Sequence, residues 1–210
     1  MAPERHLHER IYLSLKSILL SHDYRSGQRI DIAGLAERFQ ASVTPVRDGL
    51  CRLVGEEVVE MLPSGGFRLW LPTVDSLRDI YFWNGQHLLA ALHATSFSAI
   101  QTVLVGVWRY AGEPLATPEI AVPRLFQRLA DASANREFSR QVAATNARLY
   151  HVRRREPALI NDFHAEAKRL AIPDHTGVQK AVRRRILAYH RRRILLAPQI
   201  AERLALEAEL

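Results

Sequence analysis

The sequence predicts a mainly α-helical chain with one small β-hairpin about a third of the way along, followed by an all-helical bundle. Three observations carry this. Apolar residues recur at helical spacing through most of the 210 residues. Two short segments of period-two patterning flank the turn sequence Pro63-Ser64-Gly65-Gly66. After Pro72 the strand signal fades, and only helical segments separated by Gly- and Pro-bearing loops follow. The expected division is therefore 1–72 and 73–210.

The first helix is expected over His8 to Leu20, with Ile11, Leu15, Ile18 and Leu19 on one face. Ser21 to Gln28 is polar, contains Gly27 and reads as a loop. Asp31 caps a short second helix whose apolar face is Ile32, Leu35, Ala36 and Phe39. After the tight turn Gln40 to Val43, a third helix starts at Thr44-Pro45, with Thr44 as N-cap. Val46, Leu50 and Leu53 face inward, Arg47 and Arg52 outward, and Gly55 ends the helix. The hairpin runs from Glu57 to Leu62 and from Phe67 to Leu71. Helix, short helix, turn, helix and hairpin is the order of a winged helix-turn-helix. A helix that starts with Ser or Thr and carries Arg can enter a major groove, and a glycine-rich hairpin tip can approach a sugar-phosphate backbone.

Six helices are expected beyond Pro72: Asp75 to Thr95, Ser96 to Tyr110, Glu119 to Ala132, Asn135 to Arg155, Pro157 to Ala171, and Val178 to Leu196. The third of these breaks or begins at Pro123, and loops cover Ala111 to Pro118 and Pro173 to Gly177. Pro198 separates the last of the six from a terminal segment, Ile200 to Leu210. The fourth has its inward stripe at Phe138, Val142, Thr145, Leu149 and Val152. Leu88 to Tyr110 is the most apolar stretch, but His93, Gln101 and Arg109 interrupt it, so it reads as a buried helix pair and not a membrane span.

Composition narrows the function classes. Hydrophobic residues make up 48% of the chain, enough for a core. Cys51 is the only cysteine, so no disulfide forms within the chain, in keeping with a reducing cytoplasm. The polar stretch Met1 to Arg10 lacks the apolar core of a signal peptide. Net charge is +7, yet in residues 1–72 the bases and acids cancel. The surplus lies beyond, much of it in the triplets 153–155, 183–185 and 191–193. Bulk charge therefore does not mark the first segment as a nucleic-acid reader, and local chemistry has to do so. No nucleophile motif, phosphate loop or complete metal set points to an enzyme. The basic C-terminal helices lack the aromatic stacking motifs of RNA binders.

The stretches Ala36-Glu37-Arg38-Phe39, Ser42-Val43-Thr44-Pro45-Val46-Arg47-Asp48-Gly49-Leu50, Arg52-Leu53 and Ser64-Gly65-Gly66-Phe67-Arg68-Leu69 resemble the winged helix of the GntR regulators. The later helices resemble, in count, order and length, the FCD ligand-binding domain carried by one branch of that family. The resemblance implies a homodimer on a near-palindromic double-stranded DNA operator, acting as repressor or activator. It implies a small organic effector, a carboxylate among the candidates, that alters DNA affinity. By position, Ser42, Thr44, Arg47 and Gly66 match the family's DNA contacts. Two departures stand out. Val43 occupies a place where the family often has Arg, and Ala33 one that is often polar. One bidentate Arg is worth about 1–3 kcal/mol of discrimination at a base pair, so an altered operator is implied.

FCD domains often hold a divalent metal with one Asp and three His. The matching positions here are Pro123, Gln127, His164 and His190. Pro has no ligating side chain and Gln is a poor ligand for transition metals, so the set is a remnant and no cofactor is expected. Two readings stay open. Gln127, His164 and His190 line a metal-free polar pocket, with Arg148 and Tyr150 available to a carboxylate, or the two histidines are ordinary core residues. Trp83 and Trp108 are read as core. His87 and His93 are six apart, a poor spacing for a shared metal. Cys51 is read as a small core residue and the Arg triplets as solvated faces, with phosphate contacts or pairing to Glu202, Glu207 and Glu209 of a partner subunit as alternatives. A regulator with no effector, its helical domain serving dimerisation or protein contacts alone, is the competing function.

Overall fold

A computed structural model describes residues 3–109, 118–172 and 177–209. They group into two compact units. The first comprises 1–72 together with 202–210, and the second spans 73–201. Residues 202–210 thus group with the first unit, not with the helical remainder to which the sequence reading assigned them.

In the first unit, helix α1 (Pro3–Leu19) packs on α3 (Val43–Gly55), with the short α2 (Ile32–Arg38) beside α3. Ile11, Leu15 and Leu19 meet Val46, Leu50 and Leu53 in a core closed by Val58, Val59, Phe67 and Leu69. Each such side chain contributes roughly 1.5–3 kcal/mol when fully buried, so this apolar stripe fixes the helix pair. Gly49 sets its closeness, because a Cβ there would lie 2.6 Å from Leu15 Cδ1. Asp31 caps α2 as expected, accepting from the Gly34 N–H at 3.1 Å. Helix α3 departs from expectation at both ends. Its N-cap is Ser42, not Thr44, and Pro45 falls at the third helical position, where a missing N–H is still harmless. Gly55 is the last helical residue, and Glu57 takes the left-handed conformation (φ 57°) that follows.

Strands β1 (Val59–Met61) and β2 (Phe67–Leu69) form the antiparallel hairpin, with Val59 opposite Leu69 and Met61 opposite Phe67. The segment read as a loop before α2 adds to its edge. Ile30 N–H donates to Phe67 O at 2.9 Å, Leu69 N–H to Gln28 O at 2.9 Å, and Gly27 N–H to Leu69 O at 3.0 Å. With Ile30 as its one strongly apolar residue, that short stretch has no alternation for the sequence to display.

The second unit holds α4 (Val74–His93), α5 (Phe97–Arg109), α6 (Pro118–Asp131), α7 (Arg136–Arg148), the single turn α8 (Tyr150–Arg153), a 3₁₀ turn (Glu156–Ala158), α9 (Phe163–Leu170) and the residues to Ala201 of α10 (Val178–Ala208). Thr73 and Asn135 cap α4 and α7 through their side chains. Helix α6 is neither broken nor begun at Pro123, and α10 runs unbroken through Pro198. The expected fourth helix ends early, at Arg148, and α8 and the 3₁₀ turn follow. Consequently α9 is shorter than the Pro157–Ala171 helix expected. The expected loops at 111–117 and 173–176 lie outside the described residues, as does the side chain of Trp108. Trp83, read as core, is 55% exposed and packs edge-on against His87, with ring centroids 4.4 Å apart. Among the described residues, no helix is long and apolar enough to cross a membrane.

Candidate nucleic-acid interface and a buried polar cluster

The exposed face of α3 carries Ser42, Val43, Thr44, Arg47, Asp48, Cys51 and Arg52. Cys51 is therefore a surface residue and not the core residue expected. Ser42 makes no side-chain cap bond. Uncapped N–H groups at a helix N-terminus suit an anion. Arg47 has no ion pair or hydrogen bond among the described residues. Arg52, drawn outward with it by the sequence, is engaged: Nη1 donates to Glu9 Oε2 at 2.7 Å and the guanidinium lies 3.6 Å from the Tyr12 ring centroid. That hydrogen bond to Glu9 raises its pKa further. Behind it, Tyr12 and Lys16 both donate to Glu56 and tie α1 to the end of α3.

The hairpin tip is closed by Leu62 N–H to Gly66 O at 3.0 Å and Gly65 N–H to Leu62 O at 2.9 Å. Gly65 and Gly66 sit at φ 83° and 87°, where a side chain is strained although space is open. Arg68 is held by Glu60 across the hairpin at 2.7 Å. The tip therefore offers bare backbone, as a groove-side contact requires.

A sequence profile of bacterial regulatory proteins of the gntR family matches residues 7–69. That segment holds α1, α2, α3 and the hairpin. Over these residues the N-terminal unit is similar to the GntR family of bacterial regulatory proteins, a likeness that points to the DNA-binding segment of a transcriptional regulator. Solved structures of bacterial proteins share the fold over most of the chain. A protein described as GntR from Rhodococcus sp. RHA1 is 18% identical, with 92% of this chain and 96% of that one covered and a TM-score of 0.66. McbR/YncC of E. coli is 18% identical, with 92% and 97% covered and a TM-score of 0.63. Lar of Listeria monocytogenes, described as controlling expression of the agr system, is 14% identical, with 91% and 96% covered and a TM-score of 0.53. A search of curated proteins found no match.

In the helical unit the expected pocket residues do not come together. His164 is exposed, because its neighbour Phe163 takes the inward position on α9. Gln127 turns to the start of α7, donating to Asp131 Oδ1 at 2.8 Å and Ser139 Oγ at 3.1 Å. Arg148 and Tyr150 are half-buried. His190 is buried and committed on both nitrogens. Nδ1 is 2.7 Å from Ile186 O, so it carries the proton and donates, and Nε2 accepts from Asn84 Nδ2 at 3.0 Å. Its ring stacks on Phe126 with centroids 5.4 Å apart. Burial pushes its pKa down to about 3, with the positive charges of Arg153 and Arg193 adding to the effect. No group of three or more His, Cys, Asp or Glu suited to a metal occurs among the described residues.

What the unit does gather is a buried charged cluster drawn from two of the Arg triplets. Arg193 is fully buried and well partnered. Nε and Nη2 donate to Glu156 Oε2 at 3.1 and 3.0 Å, Nη1 lies 2.6 Å from Glu166 Oε2, and the guanidinium stacks 3.4 Å from the Tyr189 ring centroid. Tyr81 donates to the other oxygen of Glu156. Arg153 is equally buried, at 1% exposure, but among the described residues its one hydrogen bond is Nη1 to Asn146 Oδ1 at 2.7 Å. Burying an ion costs several kcal/mol even after relaxation, while a hydrogen bond from a charged group returns about 1.5–3. Arg153 is thus held at a net loss by the partners it has.

Proposed function

We propose that the protein is a sequence-specific operator-binding regulator whose affinity for DNA responds to a small organic ligand in the helical unit, as in the FCD branch. The observation that carries the DNA part is the uncapped, exposed start of α3 with Arg47 unpartnered. Ser42, Thr44 and Arg47 contact the major-groove side and Gly66 the backbone beside it. Val43, 43% exposed, offers an apolar contact to a thymine methyl where an Arg would have read guanine. Two copies on a near-palindromic site are the arrangement the family resemblance implies, and the ligand acts by shifting the population toward the arrangement that fits the operator or away from it.

The test of the ligand-responsive part is DNA affinity measured with and without candidate ligands and with substitutions in residues 73–201. Affinity that changes with either supports the reading. Affinity indifferent to every ligand and every substitution there sinks it. The second reading, a helical unit used for dimerisation alone, is favoured by the scattering of Gln127, His164 and His190. A ligand screen by thermal unfolding separates the two, since a ligand of the native state raises the melting temperature.

A further inference from the structure

The outward face of α10 carries a pattern of its own. Positions 188, 191, 195, 198, 202 and 205 follow one another by alternating three- and four-residue steps, and all six are exposed. Steps of that kind keep one narrow stripe on one side of a helix. The stripe reads Ala188, Arg191, Leu195, Pro198, Glu202, Ala205. Its centre is apolar, and Leu195, 69% exposed, is the most exposed large apolar side chain among the described residues. Its charges are split by sign, with Arg191 on the N-terminal side of that centre and Glu202 on the C-terminal side. Neither has an ion pair or hydrogen bond among the described residues, whereas Arg192, Arg193 and Arg203 of the same helix are all paired. The order is symmetric about a point between residues 196 and 197. Turned end for end, the stripe lays Leu195 against Pro198, Arg191 against Glu202 and Ala188 against Ala205, each twice. One layer further out, Arg184 falls opposite Glu209, the residue after α10.

We propose that two copies of this chain pair antiparallel through this face of α10, about a two-fold axis beside residues 196 and 197. This rests on the two-copy reading of operator binding and names the surface by which the copies meet. The occupant is a second copy because the stripe is complementary to itself. A partner has to set an acid opposite Arg191, a base opposite Glu202 and apolar groups between, and the same helix reversed supplies all three. Direction is fixed by charge, since a parallel copy sets Arg191 on Arg191 and Glu202 on Glu202. The small side chains of Ala188 and Ala205 let the two helices approach beside the ion pairs. Covering those pairs removes the solvent screening that makes exposed ones weak.

The experiment is sedimentation equilibrium of the full chain over a range of concentrations. It is run on the wild type, Arg191→Glu, Glu202→Arg and an equimolar mixture of the two variants. The wild type is expected to be a dimer. Arg191→Glu sets acid against acid in two layers, and Glu202→Arg sets base against base. Each therefore raises the dimer dissociation constant by roughly tenfold or more. The mixture restores tight pairing, since a copy with acids at both positions meets a copy with bases at both. That recovery excludes misfolding as the cause of the loss. Should either variant fail to fold, Leu195→Asp replaces the pair and is expected to loosen the dimer by burying a carboxylate at its centre. A wild type that stays monomeric, variants that dimerise like the wild type, or a mixture no tighter than its components overturns the proposal. Variants that dimerise normally leave the two-copy reading standing, with the copies meeting elsewhere. The mass of the wild type on operator DNA checks that reading separately: a single copy bound there refutes it, and the α10 pairing is still decided by the mixture.

Discussion

Arg47 and Arg52 lie five residues apart on α3, and their surroundings give them different work. Arg52 is locked onto Glu9 and Tyr12, so Arg52→Ala is expected to lower stability by about 1 kcal/mol or less, as exposed pairs do, with base preference kept. Arg47 has nothing comparable to lose, and its replacement falls on DNA binding. His190 supplies a pH test. Its folded pKa of about 3 lies below the unfolded value near 6.5, so between these the unfolded chain binds more protons. Its contribution to stability is full above about pH 6.5 and is lost as pH falls toward 3. Melting temperature measured across that window should fall less steeply in His190→Gln, and equal slopes contradict the assignment. Residue roles were the least legible part of the sequence. His164 and His190 were paired by family position, but nothing in the chain pulls His164 inward once Phe163 takes the core side. Arg153 and Arg193 sit in basic triplets, which by sequence read as solvated faces. Yet Arg153 is four residues after Leu149, and Glu156 four after Val152, so both continue the inward stripe of the preceding helix.

At the scale of elements, helices and hairpin were legible because apolar periodicity and turn chemistry are local. Boundaries set by tertiary contacts were not, as at the α7–α8 step and the strand-like segment around Ile30. The prolines of α6 and α10 were read as breaks, but packing on both sides holds each helix together at the expense of a backbone bond. Pro198→Ala should restore that bond and raise stability, by up to about 3 kcal/mol, the usual penalty of an interior proline. Chemical denaturation would show it, and an unchanged midpoint would mean that the helix has already absorbed the defect. Gly27 carries the opposite expectation. It sits at φ 78°, and a Cβ would lie 2.6 Å from that of Ala208. Gly27→Ala should therefore destabilise by more than about 1 kcal/mol, read from the same denaturation curve.

For the molecule as a whole, the charge surplus lies beyond residue 72 while the family match lies before it. Part of that surplus is spent internally. Arg193 and Arg192 are paired with carboxylates, and Arg185 donates to Ile172 O at 2.6 Å. The arginines left on the surface can attract any polyanion, but such attraction is indifferent to sequence and collapses with salt. Specific and unspecific binding are therefore separable. The deciding measurement is DNA binding by the wild type and Arg47→Ala across a salt series, using DNA from upstream of the protein's own coding region. The account predicts that the wild type prefers a discrete site and that Arg47→Ala abolishes the preference. If both proteins bind all DNA alike, with the same steep salt slope, the basic helices are the only binders and the winged helix does not read DNA.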